Sequence, residues 1–305
     1  MINSDEENIT DALVSPRTAF ARKFPLLTKA ALVLVWLAGP YFATHGIYFA
    51  MLNSNPGFDA HAYWLAGQGP LLYDKPAGAI DAYLYSPAFA TAIRPLAMLD
   101  WPFFFAVWVC LESAVLVWLL KPLQLKWAIP LFLLSVPELV NGNIFILLAA
   151  SAVIGTKMPA AWAFPVLTKI TSGVGLICFA VRGEWRRLGQ GISACLVIAG
   201  VSYLFNPSEW QAWFTFLIEH RDATQDGGLS FLLRCLLGAG IAAVGARKGW
   251  PWLIAPAMVL ASPVLLLPTL TLLTAIPRLT MAVEPGRPGS SFGMNHHPVR
   301  TTLGG

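Results

Sequence analysis

Charge is what this sequence has least of. Only 12% of its 305 residues are Asp, Glu, Lys or Arg, against 56% hydrophobic residues and a mean hydropathy of +0.62. A soluble domain carries about 25% charged residues, so a water-facing globule is excluded and lipid is the expected solvent. The formal net charge of +4 comes from basic residues set beside apolar runs rather than clustered, which reads as topology control and excludes a nucleic-acid surface. Cysteine is scarce too. Cys110, Cys178, Cys195 and Cys235 all lie in apolar segments without CxxC spacing, so neither a disulfide framework nor a metal site is indicated. HxxxH, GxxxxGK and nucleophile-elbow patterns are missing. There is also no pair of Gly/Pro-broken helices in matching halves, which weighs against a secondary transporter. No cleavable signal peptide is expected, because the first apolar run starts near residue 30 behind a polar leader and is too long for a signal core.

What is present is a series of long apolar runs. Residues 30–57, 188–208 and 249–277 contain no Asp, Glu, Lys or Arg, and each meets the roughly 20 residues needed to cross about 30 Å of hydrocarbon. The sequence predicts an all-α polytopic membrane protein with about nine or ten transmembrane helices. The expected segments are 30–52, 84–99, 102–120, 127–139, 143–157, 160–181, 188–205, 229–246 and 250–277. The last is either one tilted helix or two short ones broken at Ser262-Pro263, and ten segments are preferred. Residues 1–28 form a cytoplasmic tail, 29–282 the membrane core and 283–305 a disordered tail whose His296-His297 pair is incidental. Two outer loops remain, 53–83 and 206–228, the second carrying an amphipathic interfacial helix with Trp210, Trp213, Phe214 and Leu217 on one side. Lys121 and Lys126 conflict with this scheme, since they flank a loop that it puts outside.

The first outer loop is too aromatic and too patterned to be a connector. If 58–67 is a short interfacial helix, Asp59, Ala62, Tyr63 and Ala66 share a face. Asp59 then reads equally well as an N-cap or as a functional carboxylate that a substrate approaches over small residues. Lys169 stands in the middle of an apolar run, where an ammonium is costly. Thr168, Thr171, Ser172, Gly173 and Gly175 surround it, a setting that favours a phosphate over mere snorkelling. Arg234, one turn into the eighth segment, reads either way. Glu112 and Glu138 lie in or beside apolar segments, and either is able to pair with a buried base. Asn141-Gly142-Asn143 is polar enough to need partners and is a candidate cavity wall.

Taken together, Asp59, Tyr63-Trp64, Ala66-Gly67, Gly69, Leu71 and Tyr73, followed by residues 83–89 (YLYSPAF) and Arg94-Pro95-Leu96, resemble glycosyltransferase family 87. These are polyprenyl-phosphate-mannose-dependent α-mannosyltransferases of the GT-C superfamily. Asn141-Gly142-Asn143, residues 167–175 (LTKITSGVG) and Ala261-Ser262-Pro263 are similar to later family elements. Ser172 departs from the usual proline, and residues 264–268 lack the Trp and His that many members carry. The resemblance implies a GT-C-type bundle in the plasma membrane that transfers a mannosyl or related residue, with inversion, from a polyprenyl-phosphate sugar to a glycolipid or glycan hydroxyl on the outer face. The lipid-linked donor is a co-substrate, and no other cofactor and no metal is implied. It assigns Asp59 as general base and Lys169 and Arg234 to the donor phosphate, with His61, Tyr63, Tyr73, Tyr85 and Asn143 expected to contact substrate. A flippase for a lipid-linked sugar and a non-catalytic membrane scaffold are the alternatives; a transferase needs the outer-loop carboxylate, whereas a flippase needs polar groups through the full membrane depth.

Overall fold

The computed structural model describes residues 24–53, 55–69, 72–219 and 228–281. The two tails lie almost wholly outside these residues, as do Leu71 and residues 220–227 of the second loop. Every regular element among the described residues is helical. Four helices are long and apolar enough to cross a membrane: α1 (Pro25–Leu52), α4 (Trp101–Leu120), α10 (Trp185–Phe205) and α12 (Gly228–Lys248, apolar from Ser230). Between them lie α2 (Phe58–Gln68), α3 (Pro87–Ala97), α5 (Leu125–Leu134), α6 (Val136–Asn141), α7 (Phe145–Gly155), α8 (Ala163–Thr168), α9 (Ile177–Val181) and α11 (Pro207–Glu219). The chain closes with α13 (Ile254–Leu260) and α14 (Ile276–Met281), while 3-10 turns lead into α8, α9, α13 and α14. The protein is an all-α polytopic membrane protein.

Contacts between elements fix which end of the bundle each reaches. We call the end that carries α2 the upper end. α1 runs parallel to α5 and α6: an added Cβ on Gly39 would meet the Pro130 carbonyl at 2.6 Å, and one on Gly46 would meet Pro137 at 3.0 Å. Small residues here let the two backbones touch, the usual device for helix association in lipid. α4 starts at the upper end, where Trp101 meets His61 edge to face. It ends at the lower, where Arg278 donates to the Trp118 carbonyl and Trp36 of α1 to the Lys126 carbonyl.

Two expected spans change as a result. α3 has 11 residues, about 16 Å at 1.5 Å per residue, too short to cross. Both its ends stay near α2: Ser86 binds the Leu167 carbonyl beside Lys169, and Trp64 of α2 donates to the Leu99 carbonyl. Residues 84–99 are therefore an upper-end element rather than a span, and Arg94 is exposed there. Conversely, 160–181 is two half-passes. It leaves the lower end, where Gly191 meets the Pro159 carbonyl, reaches Asn143 at Lys169, and returns to the lower end, where Arg187 binds the Thr156 carbonyl. Lys121 and Lys126 now share the lower end with Arg182, Arg187, Arg247 and Lys248. The conflict over those two lysines disappears.

Breaks occur where the residues invite them. Ser135 and Pro137 separate α5 from α6, Lys169 leaves helical geometry at φ −124 and ψ 85, and residues 261–266 interrupt the last pass at Ser262-Pro263. Non-helical backbone at membrane depth is tolerated only inside protein or along a cavity.

Candidate active site

α2 opens at Gly57, whose φ of +77 is left-handed, and no side chain caps its first turn. Asp59 is therefore free of the N-cap role that its position allowed. Its carboxylate Oδ2 accepts a hydrogen bond from Asn143 Nδ2 at 2.8 Å, across 84 residues of sequence. The same amide turns its Oδ1 to Lys169, whose Nζ donates at 3.3 Å. One asparagine thus holds a carboxylate and an ammonium on its two ends, and the charges set which end faces which. Lys169 Nζ also lies 3.4 Å from the centroid of the Phe145 ring and 5.8 Å from that of Tyr85, where ring faces attract a cation. Burial pushes the Asp59 carboxyl above the ordinary carboxylate range, while the Lys169 charge and the Asn143 hydrogen bond pull it back.

The loop before Asn143 is built for this meeting. Gly142 adopts φ +67, its carbonyl accepts from the Trp108 indole at 2.9 Å, and an added Cβ would lie 2.5 Å from the Ala60 Cβ. Glycine alone fits, because α2 and the loop must touch for Asn143 to reach Asp59. Replacing Gly142 with alanine should cost about 1–3 kcal/mol in overpacking and about 1–2 kcal/mol in left-handed strain. The expected outcome is a lower midpoint of thermal unfolding in detergent together with reduced activity. An unchanged midpoint would contradict this contact.

The aromatic residues form the wall behind Asp59. Tyr63 is one turn along α2 on the same face, and its hydroxyl meets that of Tyr85 at 3.0 Å. Both are buried, at 1% and 7% exposure, so they shape the site more than they open onto it. Tyr73 donates to the Tyr85 carbonyl at 2.6 Å and packs on Phe216 of α11. α11 covers this wall through Trp210, Trp213 and Phe216. Phe214, expected on that face, is 54% exposed, because residue 216 rather than 214 falls on the same side as Trp210 and Trp213.

Two predicted residues stand apart from the Asp59–Asn143–Lys169 chain. His61, two positions from Asp59, points to another side of α2, where Nδ1 meets Asp81 Oδ1 at 2.7 Å and Lys75 closes on the same carboxylate at 3.6 Å. Asp81 itself has φ +61, so this trio ties down the turn of the first loop. Arg234 donates to the carbonyls of Leu260, Ser262 and Pro263 at 3.3, 2.8 and 3.5 Å, and so braces the break in the last pass.

The sequence offered Glu138 and Glu112 without choosing between them. Glu138, fully buried, accepts from the Phe145 backbone N–H at 3.1 Å and so anchors the start of α7 directly below Asn143. Glu112 is equally buried, and neither of its carboxylate oxygens has a hydrogen-bond partner among the described residues. Phe145 was missed altogether; its place two residues after Asn143 was the only signal.

The site therefore offers a partly buried carboxylate, a cation two hydrogen bonds away and an aromatic wall, all at one end of a membrane bundle. The sequence profile of glycosyltransferase family 87 matches residues 83–284. It contains Asn143, Lys169 and Arg234 and starts after α2, so Asp59 is tied to the matched region through Asn143. No curated protein and no solved structure matches the chain. The family match spans more than half of the sequence, and with the bundle and its apolar helices it shows that the chain belongs to glycosyltransferase family 87 and is a membrane glycosyltransferase.

Proposed function

We propose that the protein transfers a mannosyl or closely related residue from a polyprenyl-phosphate sugar to a hydroxyl of a glycolipid or glycan, with inversion, at the outer face of the plasma membrane. The observation that carries this reading is the Asp59–Asn143–Lys169 hydrogen-bonded chain. A departing polyprenyl phosphate already bears charge and needs no protonation, so transfer needs one general base and not the acid and base pair of an inverting glycosidase. Asp59 is that base: raised by burial, it is matched to take a proton from an acceptor hydroxyl. Lys169 offers positive charge to the leaving phosphate as its charge grows. Ser86 and Ser172, both fully buried with hydroxyls lacking hydrogen-bond partners among the described residues, lie beside the Lys169 break and keep its surroundings polar. The donor is the only co-substrate in this scheme, and the partners are membrane lipid, the lipid-linked sugar and the acceptor, with no nucleic acid.

Charge supports the side of the membrane. Lys121, Lys126, Lys157, Arg182, Arg186, Arg187, Arg247, Lys248 and Arg278 gather toward the lower end, whereas Asp59, Asp74, Asp81 and Glu209 belong to the upper. Basic residues favour the cytoplasm, which supports an outward-facing Asp59. Purified protein in detergent, given labelled mannosyl polyprenyl phosphate and a glycolipid extract, is expected to move label into the extract. Because detergent abolishes transport, a protein that only flips the donor would leave the label where it began.

A further inference from the structure

At the end opposite Asp59 the bundle contains a concave site. A cavity of about 200 Å³ opens where the lower ends of α7, α9, α10 and α12 meet. α7 alone separates it from Asn143 by 11 residues, about 16 Å of helix. Its mouth carries Lys157, Arg182 and Arg187, and its wall includes Trp162 and Phe179. The two guanidiniums are held in place: Arg182 Nε and Arg187 Nη1 each meet Glu184 at 2.9 Å, and they lie 5.8 and 4.8 Å from the Phe179 ring centroid. One carboxylate thus faces two guanidiniums, and Lys157, which is exposed, forms no ion pair among the described residues. Trp162, 1% exposed, adds an indole N–H without a hydrogen-bond partner among the described residues.

Two guanidiniums fixed by one carboxylate, with Lys157 beside them, leave an excess of positive charge at a concave mouth, which suits an oxyanion. We propose that this cavity is a phosphate site which takes the headgroup of an anionic phospholipid from the leaflet facing the lower end, and so clamps together the ends of α7, α9, α10 and α12. The basic residues stand at the membrane surface, where anionic headgroups are concentrated, and the apolar floor of Ala246, Pro251 and Ile254 is suited to the adjoining glycerol and chain. This inference is independent of the chemistry assigned to Asp59.

The test is thermal unfolding of the full chain in nanodiscs. Replacing part of the phosphatidylcholine with phosphatidylglycerol is expected to raise the midpoint by about 2–4 °C. Lys157→Gln should remove most of that rise while leaving the midpoint in pure phosphatidylcholine unchanged; Arg182→Gln, which also loses the Glu184 pair, should remove the rise whatever its midpoint in phosphatidylcholine. Lys157 is exposed and forms no ion pair among the described residues, so its variant is expected to fold even if Arg182→Gln does not. Arg247→Gln with Lys248→Gln, basic at the same end but outside the cavity, should keep the rise. An equal loss in that control would mean diffuse surface charge and overturn the proposal, as would a rise that survives in Lys157→Gln. Glycerol phosphate added to phosphatidylcholine nanodiscs separates the sources: a rise that depends on Lys157 would assign the site to a soluble phosphate ester, and none would assign it to the lipid.

Discussion

Replacing Asp59 with asparagine is expected to lower sugar transfer about 10²–10⁴-fold, the usual contribution of a positioned general base. The fold should be unaffected, because the change is isosteric and leaves an oxygen to accept from Asn143 Nδ2 at the same place. Neutralising a carboxylate that burial already disfavours removes a cost as well as an interaction, so the midpoint of unfolding should hold or rise slightly. The pH profile separates a base from a structural carboxylate. A base acts deprotonated, so wild-type transfer should climb as pH rises through the Asp59 pKa and then level. Since burial lifts that pKa, the climb should fall above the ordinary aspartate value of about 3.9. The asparagine variant should retain low activity without this limb. Undiminished transfer, or an unchanged acid limb in the variant, would remove Asp59 from the chemistry.

How much of this was visible beforehand differs between levels of structure. The apolar runs announced a helical membrane protein because lipid leaves the backbone few other choices, and α1, α4, α10 and α12 lie where hydropathy put them. Hydropathy reports solvent and not direction. It could not tell that residues 87–97 lie across the upper end while 159–181 goes in and comes back, since both read as apolar stretches of plausible length. Lys121 and Lys126 did carry the information, as basic residues on the wrong side of the expected count. At the site, the Asp59 and Tyr63 spacing was legible from helical geometry. The link to Asn143 and Lys169 joins segments 84 and 26 residues apart, and no local pattern encodes that. Gly142 shows why: its role depends on Ala60 and Trp108 arriving from two other helices.

Lys169→Met is expected to raise the donor KM roughly 10–100-fold, the equivalent of losing a charged hydrogen bond of about 1.5–3 kcal/mol. Methionine keeps most of the apolar stem and removes the Nζ that lies over the Phe145 ring, so the change tests the ammonium rather than the stem's packing. A second consequence follows from the same geometry. The Lys169 charge lowers the Asp59 pKa, so its removal should move the acid limb of the pH profile further up in pH while leaving its shape intact. A purely structural lysine would show a lower unfolding midpoint with donor KM and pH limb both unmoved, and that result would take Lys169 out of the phosphate site. Asn143→Ala provides the cross-check. It cuts both hydrogen bonds at once, so if the three residues act as a unit, adding it to Lys169→Met should cost much less than the sum of the two single effects, as expected for groups in one network. Full additivity would mean that the carboxylate and the ammonium act separately, leaving Asn143 a spacer instead of the link between base and leaving group.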